Sequence, residues 1–158
     1  CPRTGLAAGD PCMTAAELAD IHAASFVFPR PWSAAEFTTL LDSPFAILVE
    51  GNHGFAMGRV VAGEAELLTI AVRPDARRNG EGRDMLRKLL CEAISRGADR
   101  MFLEVAADNI PAILLYESLG FARTGRRKGY YSGPNGATDA LTYCSIISPV
   151  VSLAPQKL

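Results

Sequence analysis

The sequence predicts a single α/β domain built on one mixed, mostly antiparallel sheet flanked by helices. Three observations predict it. A chain of 158 residues suits one domain with a sizeable core. Residues 45–73 read as three short strands separated by turns, the pattern of an antiparallel meander. From Met85 onward the apolar period lengthens to that of a helix, and strand-like and helix-like segments then alternate. The composition, 49% hydrophobic and 21% charged, is that of a folded protein. It excludes a disordered charged tail and a collagen-like repeat.

Each element has its own warrant. Thr14 caps a helix to about Ala24, with Glu17 at the capping-box position and Leu18, Ile21 and Ser25 on one stripe. Residues 26–32, Phe-Val-Phe-Pro-Arg-Pro-Trp, form a loop, because two prolines forbid regular pairing. Ser33 caps a second helix to about Leu41, again with a glutamate, Glu36, three residues on. Strands follow at 45–50, 55–62 and 65–73, turning at 52–54 and at Gly63-Glu64. Met85, Leu86, Leu89, Leu90, Ala93 and Ile94 recur at helical spacing until Gly97 stops the helix. A strand at 100–106, a helix at 109–119 and strands at 121–128 and 138–148 complete the order, the last two joined across the turn-rich 132–136. There is no repeat, low-complexity tract or internal linker. The domain is expected at 14–148, between a Pro/Gly-rich segment at 1–13 and a tail at 149–158, to which no function is assigned.

Several classes of function drop out. No apolar run approaches the roughly 18 residues a membrane helix needs. No charged n-region leads into an apolar h-region, so a cytoplasmic protein without membrane contact is expected. Cysteines at 1, 12, 91 and 144 make no metal-like spacing, and His22 and His53 lie far apart in the chain. Free thiols and no metal site are the expectation. A net charge of −1 and a pI near 6.1 argue against direct nucleic-acid binding. The charge is uneven, however: twelve of the 16 Lys and Arg lie between residues 73 and 128, against eight of the 17 acids. A solvated face explains that, and so does a half that receives an anion.

Such a receiver sits at Arg77-Arg78-Asn79-Gly80-Glu81-Gly82-Arg83, between a strand and a helix. A helix start offers unpaired N–H groups and a positive dipole end. Gly80 and Gly82 let the backbone approach a phosphate, and the arginines add charge-assisted bonds. A dinucleotide fingerprint would need glycine where Met85 stands, and no GxxxxGK[ST] occurs. As a bare pattern, a lone G-x-G is more often an ordinary helix start.

After a strand, however, R-x-x-G-x-G resembles the pyrophosphate loop of the GNAT N-acetyltransferases. The likeness extends to Leu68-Thr69-Ile70-Ala71-Val72, Leu103-Glu104-Val105, Asn109-x-Pro-Ala-Ile and Leu115-Tyr116-Glu117-Ser118-Leu119-Gly120-Phe121. Pro31-Trp32-Ser33, Gly125-Arg126-Arg127-Lys128-Gly129-Tyr130-Tyr131 and Asp139-Ala140-Leu141 are similar to a narrower, RimI-like group that acetylates the N-terminal alanine of a small-subunit ribosomal protein. The resemblance covers about 14–148 and is strongest over 66–131.

The resemblance implies a fold in which two central parallel strands, here 65–73 and 100–106, splay apart around acetyl-CoA. The backbone of Ile70, Ala71 and Val72 would pair with the pantetheine amides like an added strand. The loop residues Arg77, Arg78, Asn79, Gly80, Glu81, Gly82 and Arg83 would hold the pyrophosphate. Two departures stand out. Residues 1–13 show no alternation where the family begins with a strand. Glu81 places a carboxylate beside a polyanion, where it either points to solvent or loosens cofactor binding.

Glu104 is the one charged residue inside Met101-Phe102-Leu103-Glu104-Val105-Ala106. Desolvation there would raise its basicity, and a satisfied structural carboxylate is the competing reading. The resemblance makes Glu104 the general base, Tyr116 the acid that protonates the CoA sulfur, and Asn109 a cofactor contact. Seven residues apart, Asn109 and Tyr116 are expected to share a helix face. On pattern alone Tyr116 is core packing. Trp32, Tyr130 and Tyr131 are candidates to wall a peptide slot, and His22 is expected to be structural. Two rival functions remain open on sequence: a GNAT enzyme for a small-molecule amine or lysine, and a non-catalytic acyl-CoA-binding module.

Overall fold

The computed structural model describes residues 13–25, 31–77, 79–133 and 136–147. Helices α1 (Ala15–Ser25) and α2 (Ala34–Leu41) are followed by strands β1 (Ala46–Glu50), β2 (Gly54–Val61) and β3 (Glu64–Val72). A one-turn 3₁₀ segment, Pro74–Ala76, leads to α3 (Glu81–Ser95). Then come β4 (Arg100–Ala106), α4 (Ile110–Ser118), β5 (Ala122–Gly133) and β6 (Gly136–Ile146). Both expected N-caps are present. Thr14 Oγ1 accepts from the Glu17 N–H at 3.2 Å, and Ser33 forms a reciprocal capping box with Glu36.

The six strands form one sheet in the order β1-β2-β3-β4-β6-β5. Every neighbouring pair is antiparallel except β3–β4. Strand alternation divides the apolar residues between two layers. Ile47, Val49, Ala56, Leu67, Met101, Leu103 and Val105 face α3 and α4 and pack on Met85, Leu86, Leu89 and Tyr116. Leu48, Phe55, Met57 and Ala71 face the other way and meet Leu18, Ile21 and Phe37 from α1 and α2. This second layer draws on β1–β3 alone, so that face of β4, β6 and β5 has no helix over it among the described residues. The uneven cover positions the site.

Gly58 marks a tight contact within the first layer. The β2–β3 register slips between Met57 and Gly58, and a Cβ at Gly58 would lie 2.8 Å from the Glu66 carbonyl and 3.2 Å from Leu89 of α3. A side chain there would push α3 off the sheet.

The element order is the expected one, with two differences. β5 runs on to Gly133 instead of ending at Lys128. Its pairing with β6 breaks after Arg127↔Ala140 and resumes at Tyr131↔Thr138. The intervening bulge erases the alternation that would have betrayed a strand. At α4, Asn109 is the N-cap and not a helical residue: its Oδ1 accepts from the Ala112 N–H at 3.3 Å. Asn109 thus stands one position before the helix as its cap, with Tyr116 seven residues on in the second turn.

Candidate active site

β3 and β4 are paired at three positions only, Glu64↔Arg100, Ala65↔Met101 and Glu66↔Phe102. Beyond them the strands diverge, yet each keeps its outer partner. β2 holds β3 as far as Gly54↔Val72, and β6 holds β4 as far as Ala106↔Ala140. The inner edges of 67–72 and 103–106 are left without a strand partner, and exposed ladder groups of this kind accept an added extended chain. Gly82 sits at this opening. A Cβ on it would lie 3.6 Å from Leu115 Cδ2 and 4.0 Å from both Ile70 Cδ1 and Val72 Cγ2. Leu115, Ile70 and Val72 are thus the walls, and Gly82 keeps the floor bare.

At the end of the opening lies the start of α3. Its N-cap, Gly80, has φ +80° and offers no side-chain acceptor, so the first-turn N–H groups remain available to an anion. Gly80 takes a left-handed conformation that suits glycine, and no protein atom lies within 4 Å of where a Cβ would stand. Glu81 neither enters this site nor points to bulk water. Its Oε2 accepts the His53 backbone N–H at 2.7 Å, and its Oε1 lies 3.1 Å from His53 Nδ1. The β1–β2 turn thereby draws the carboxylate aside. A Cβ at Gly51 would lie 2.5 Å from that carboxylate, so glycine is required for the contact.

The remaining loop residues divide. Arg77 spends its guanidinium on the carbonyls of Val72 (3.1 Å) and Ser25 (3.3 Å), tying the loop to β3 and α1. Asn79 Nδ2 donates to the Ala76 carbonyl at 3.2 Å, and Arg83 lies half-buried in the first turn of α3. Arg78 lies outside the described residues.

Glu104 projects from the β4 face that no helix covers, since Met101, Leu103 and Val105 take the other. The sequence context suggested a desolvated carboxylate. The structure instead shows a solvated one, its side chain 31% exposed and its Oε2 3.1 Å from Arg127 Nε. Tyr116 is buried (5% exposed) and packs edge-on against Phe121. Burial, with Tyr131 nearby, pushes its hydroxyl well above the ordinary tyrosine range. A proton held that firmly stays on the oxygen at neutral pH. Tyr131 is half-buried and raised first by burial, then by Glu104 and Tyr130, with Arg127 opposing. It is electrostatically coupled to both Glu104 and Tyr116.

Trp32 packs with α1 and α2. Its ring stacks on His22 at 5.1 Å and leans on Phe37, while its backbone N–H donates to His22 Nδ1 at 3.0 Å. Nδ1 is then the acceptor, so Nε2 carries the proton toward Thr69 Oγ1 at 3.0 Å. Burial pushes His22 down to about 4, against the weaker pull of Glu36. The neutral ring fastens α1 and the start of α2 to β3. Tyr130, by contrast, packs on Tyr131 and lies under the Arg127 guanidinium, 5.2 Å from its ring centroid. Arg127 and His53 were invisible as partners of Glu104 and Glu81 because each pair meets only after the strands are ordered. No group of His, Cys, Asp and Glu able to hold a metal occurs among the described residues. No described helix is long and apolar enough to cross a membrane.

Residues 15–121 match the Acetyltransferase (GNAT) family. The chain is 38% identical over 140 residues to the [ribosomal protein bS18]-alanine N-acetyltransferase of Escherichia coli strain K12, covering 84% of this chain and 95% of that one. It is 38% identical over 122 residues to the N-alpha-acetyltransferase RimI of Mycobacterium tuberculosis, covering 72% and 75%. The crystal structure of the E. coli ribosomal-protein-S18-alanine N-acetyltransferase superposes with a TM-score of 0.75 at 37% identity, over 84% of this chain and 88% of that one. The fold of yncA from Salmonella typhimurium, solved with its cofactor acetyl-CoA, matches with a TM-score of 0.69 at 21% identity over 85% and 89%. A parallel strand pair that splays beside an uncapped glycine-led helix, on a chain with these relatives, belongs to an acetyl-CoA-dependent N-acetyltransferase of the GNAT family, in its RimI-like branch.

Proposed function

We propose that this enzyme acetylates the N-terminal α-amine of a protein, the alanine that begins a small-subunit ribosomal protein. The observation that carries the proposal is the 38% identity running over 95% of the E. coli bS18-alanine enzyme. The geometry supports it: a carboxylate on an open sheet face suits a polypeptide end better than a closed pocket would. An α-amine has a pKa near 8, so a sizeable fraction is neutral at pH 7, whereas lysine near 10.4 asks far more of a base.

The strand edge at Ile70, Ala71 and Val72 and the first turn of α3, with Asn79, Gly80, Gly82 and Arg83, would hold acetyl-CoA, which supplies a thioester-activated acetyl group. Asn109 would reach it from the cap of α4 with its amide nitrogen, its Oδ1 being taken by the cap. Glu104 takes the proton that the attacking amine sheds, directly or through one water. The amine nitrogen bonds to the acetyl carbon, the C–S bond breaks, and Tyr116 gives its proton to the departing thiolate sulfur. Tyr130 and Tyr131 flank the acceptor. Trp32, whose ring stacks on His22, is the third aromatic candidate to wall the peptide slot.

The test is CoA release and product mass on an alanine-starting peptide, its Nα-blocked twin carrying a free lysine, and a polyamine. Acetylation of the free-N-terminus peptide alone is expected. Reaction confined to the lysine peptide or the polyamine would overturn the acceptor assignment.

A further inference from the structure

We propose that Arg127 is a cationic placeholder at the acceptor site, its guanidinium occupying Glu104 until the ammonium of an incoming N-terminus takes that position. The proposal rests on the reading of Glu104 as the carboxylate that receives the acceptor amine.

The local architecture is built to put Arg127 there. Across β6, Glu104 is level with Thr142 and Gly125, and Ala106 with Ala140 and Arg127. Arg127 and Glu104 therefore lie on the same face, two strands apart, with only Thr142 and Ala140 between them. The guanidinium bridges that gap to 3.1 Å. It is aimed by the β5 bulge, where Asp139 gathers both ends. Asp139 Oδ1 accepts the Gly129 N–H at 2.8 Å, and Oδ2 accepts from Arg126 Nε. Gly129 takes φ +60°, a conformation that other residues adopt only with strain. Bulges beside active sites commonly re-aim a side chain in this way.

The contact is also built to be given up. Arg127 is 57% exposed and engages one carboxylate oxygen, so solvent and salt weaken the pair. Its second partner is the Tyr130 ring, 5.2 Å from the guanidinium carbon. A cation released from Glu104 keeps that ring face and needs no new pocket. An α-ammonium and a guanidinium at the same oxygen repel, so one displaces the other. A blocked N-terminus brings no charge and displaces nothing. The placeholder thus favours acceptors that arrive as cations and keeps the carboxylate paired between turnovers.

Calorimetric titration of Arg127→Gln with an alanine-starting peptide, its Nα-acetylated twin and acetyl-CoA tests the proposal. The free-N-terminus peptide is expected to bind tighter by up to about fivefold, the most an exposed ion pair of this kind is worth, with KM lowered alike. Arg127→Lys should fall between, and the blocked twin should bind as to wild type. Unchanged acetyl-CoA affinity reports an intact fold. Equal or weaker binding of the free-N-terminus peptide by Arg127→Gln would overturn the placeholder. The underlying reading fails separately: undiminished kcat in Glu104→Gln removes the base whatever Arg127 does.

Discussion

Replacing Gly82 separates stability from cofactor binding, because the two should move in opposite directions. Gly82 lies in the first turn of α3 with ordinary helical backbone, so alanine there is unstrained. Its Cβ would meet Leu115, Ile70 and Val72 at 3.6–4.0 Å, ordinary van der Waals contact. Gly→Ala at a compatible site gains about 0.4–1 kcal/mol by restricting the unfolded chain. In a domain of this size that raises Tm by roughly 1–4 °C. Valine places two further methyls among the same walls, in the gap proposed for the pantetheine arm. Overfilling a packed space costs about 1–3 kcal/mol, or roughly 5- to 150-fold in acetyl-CoA affinity. Thermal melts of Gly82→Ala and calorimetry of Gly82→Val with acetyl-CoA measure both quantities. A valine variant that binds acetyl-CoA as wild type does, while remaining folded, would show that the cofactor passes elsewhere.

Glu104→Gln should cut turnover with little change in acetyl-CoA affinity, and the deficit should shrink at high pH as the acceptor deprotonates itself; a collapse of affinity would instead make Glu104 structural. Tyr116→Phe should lower kcat while its melt stays near wild type, and an unchanged kcat would remove the tyrosine from the reaction. His22, held near 4 when folded and near 6.5 when unfolded, binds a proton more readily in the unfolded chain. Stability is therefore complete above about pH 6.5 and falls as pH drops toward 4, by about 3 kcal/mol at most. Denaturant midpoints in His22→Gln should lose that slope, and a slope equal to wild type would mean other groups carry it. Glu81→Gln should leave acetyl-CoA affinity within about twofold, because His53 already holds the carboxylate aside; a tenfold gain would show that Glu81 faces the phosphates after all.

The local chemistry of this protein was written in its sequence. Ser33 with Glu36 specifies a helix start, the spacing from Met85 to Ile94 specifies which side of α3 is buried, and alternation in β4 specifies that Glu104 and Leu103 face opposite ways. These are short-range consequences of backbone period and hydrogen-bond geometry, and each needs only a few neighbouring residues. The glycine-led start of α3 was legible for the same reason. What the fold alone decided were meetings between residues distant along the chain. Glu81 finds His53 across 28 positions, His22 finds Thr69 across 47, and Glu104 meets Arg127 only because β6 inserts between β4 and β5. Strand order is settled by the burial of whole sheet faces, a sum over the molecule that no local pattern contains. Whether Glu104 is desolvated followed from the same sum: α1 and α2 cover β1–β3 and stop short of β4, leaving the carboxylate in reach of solvent and of Arg127.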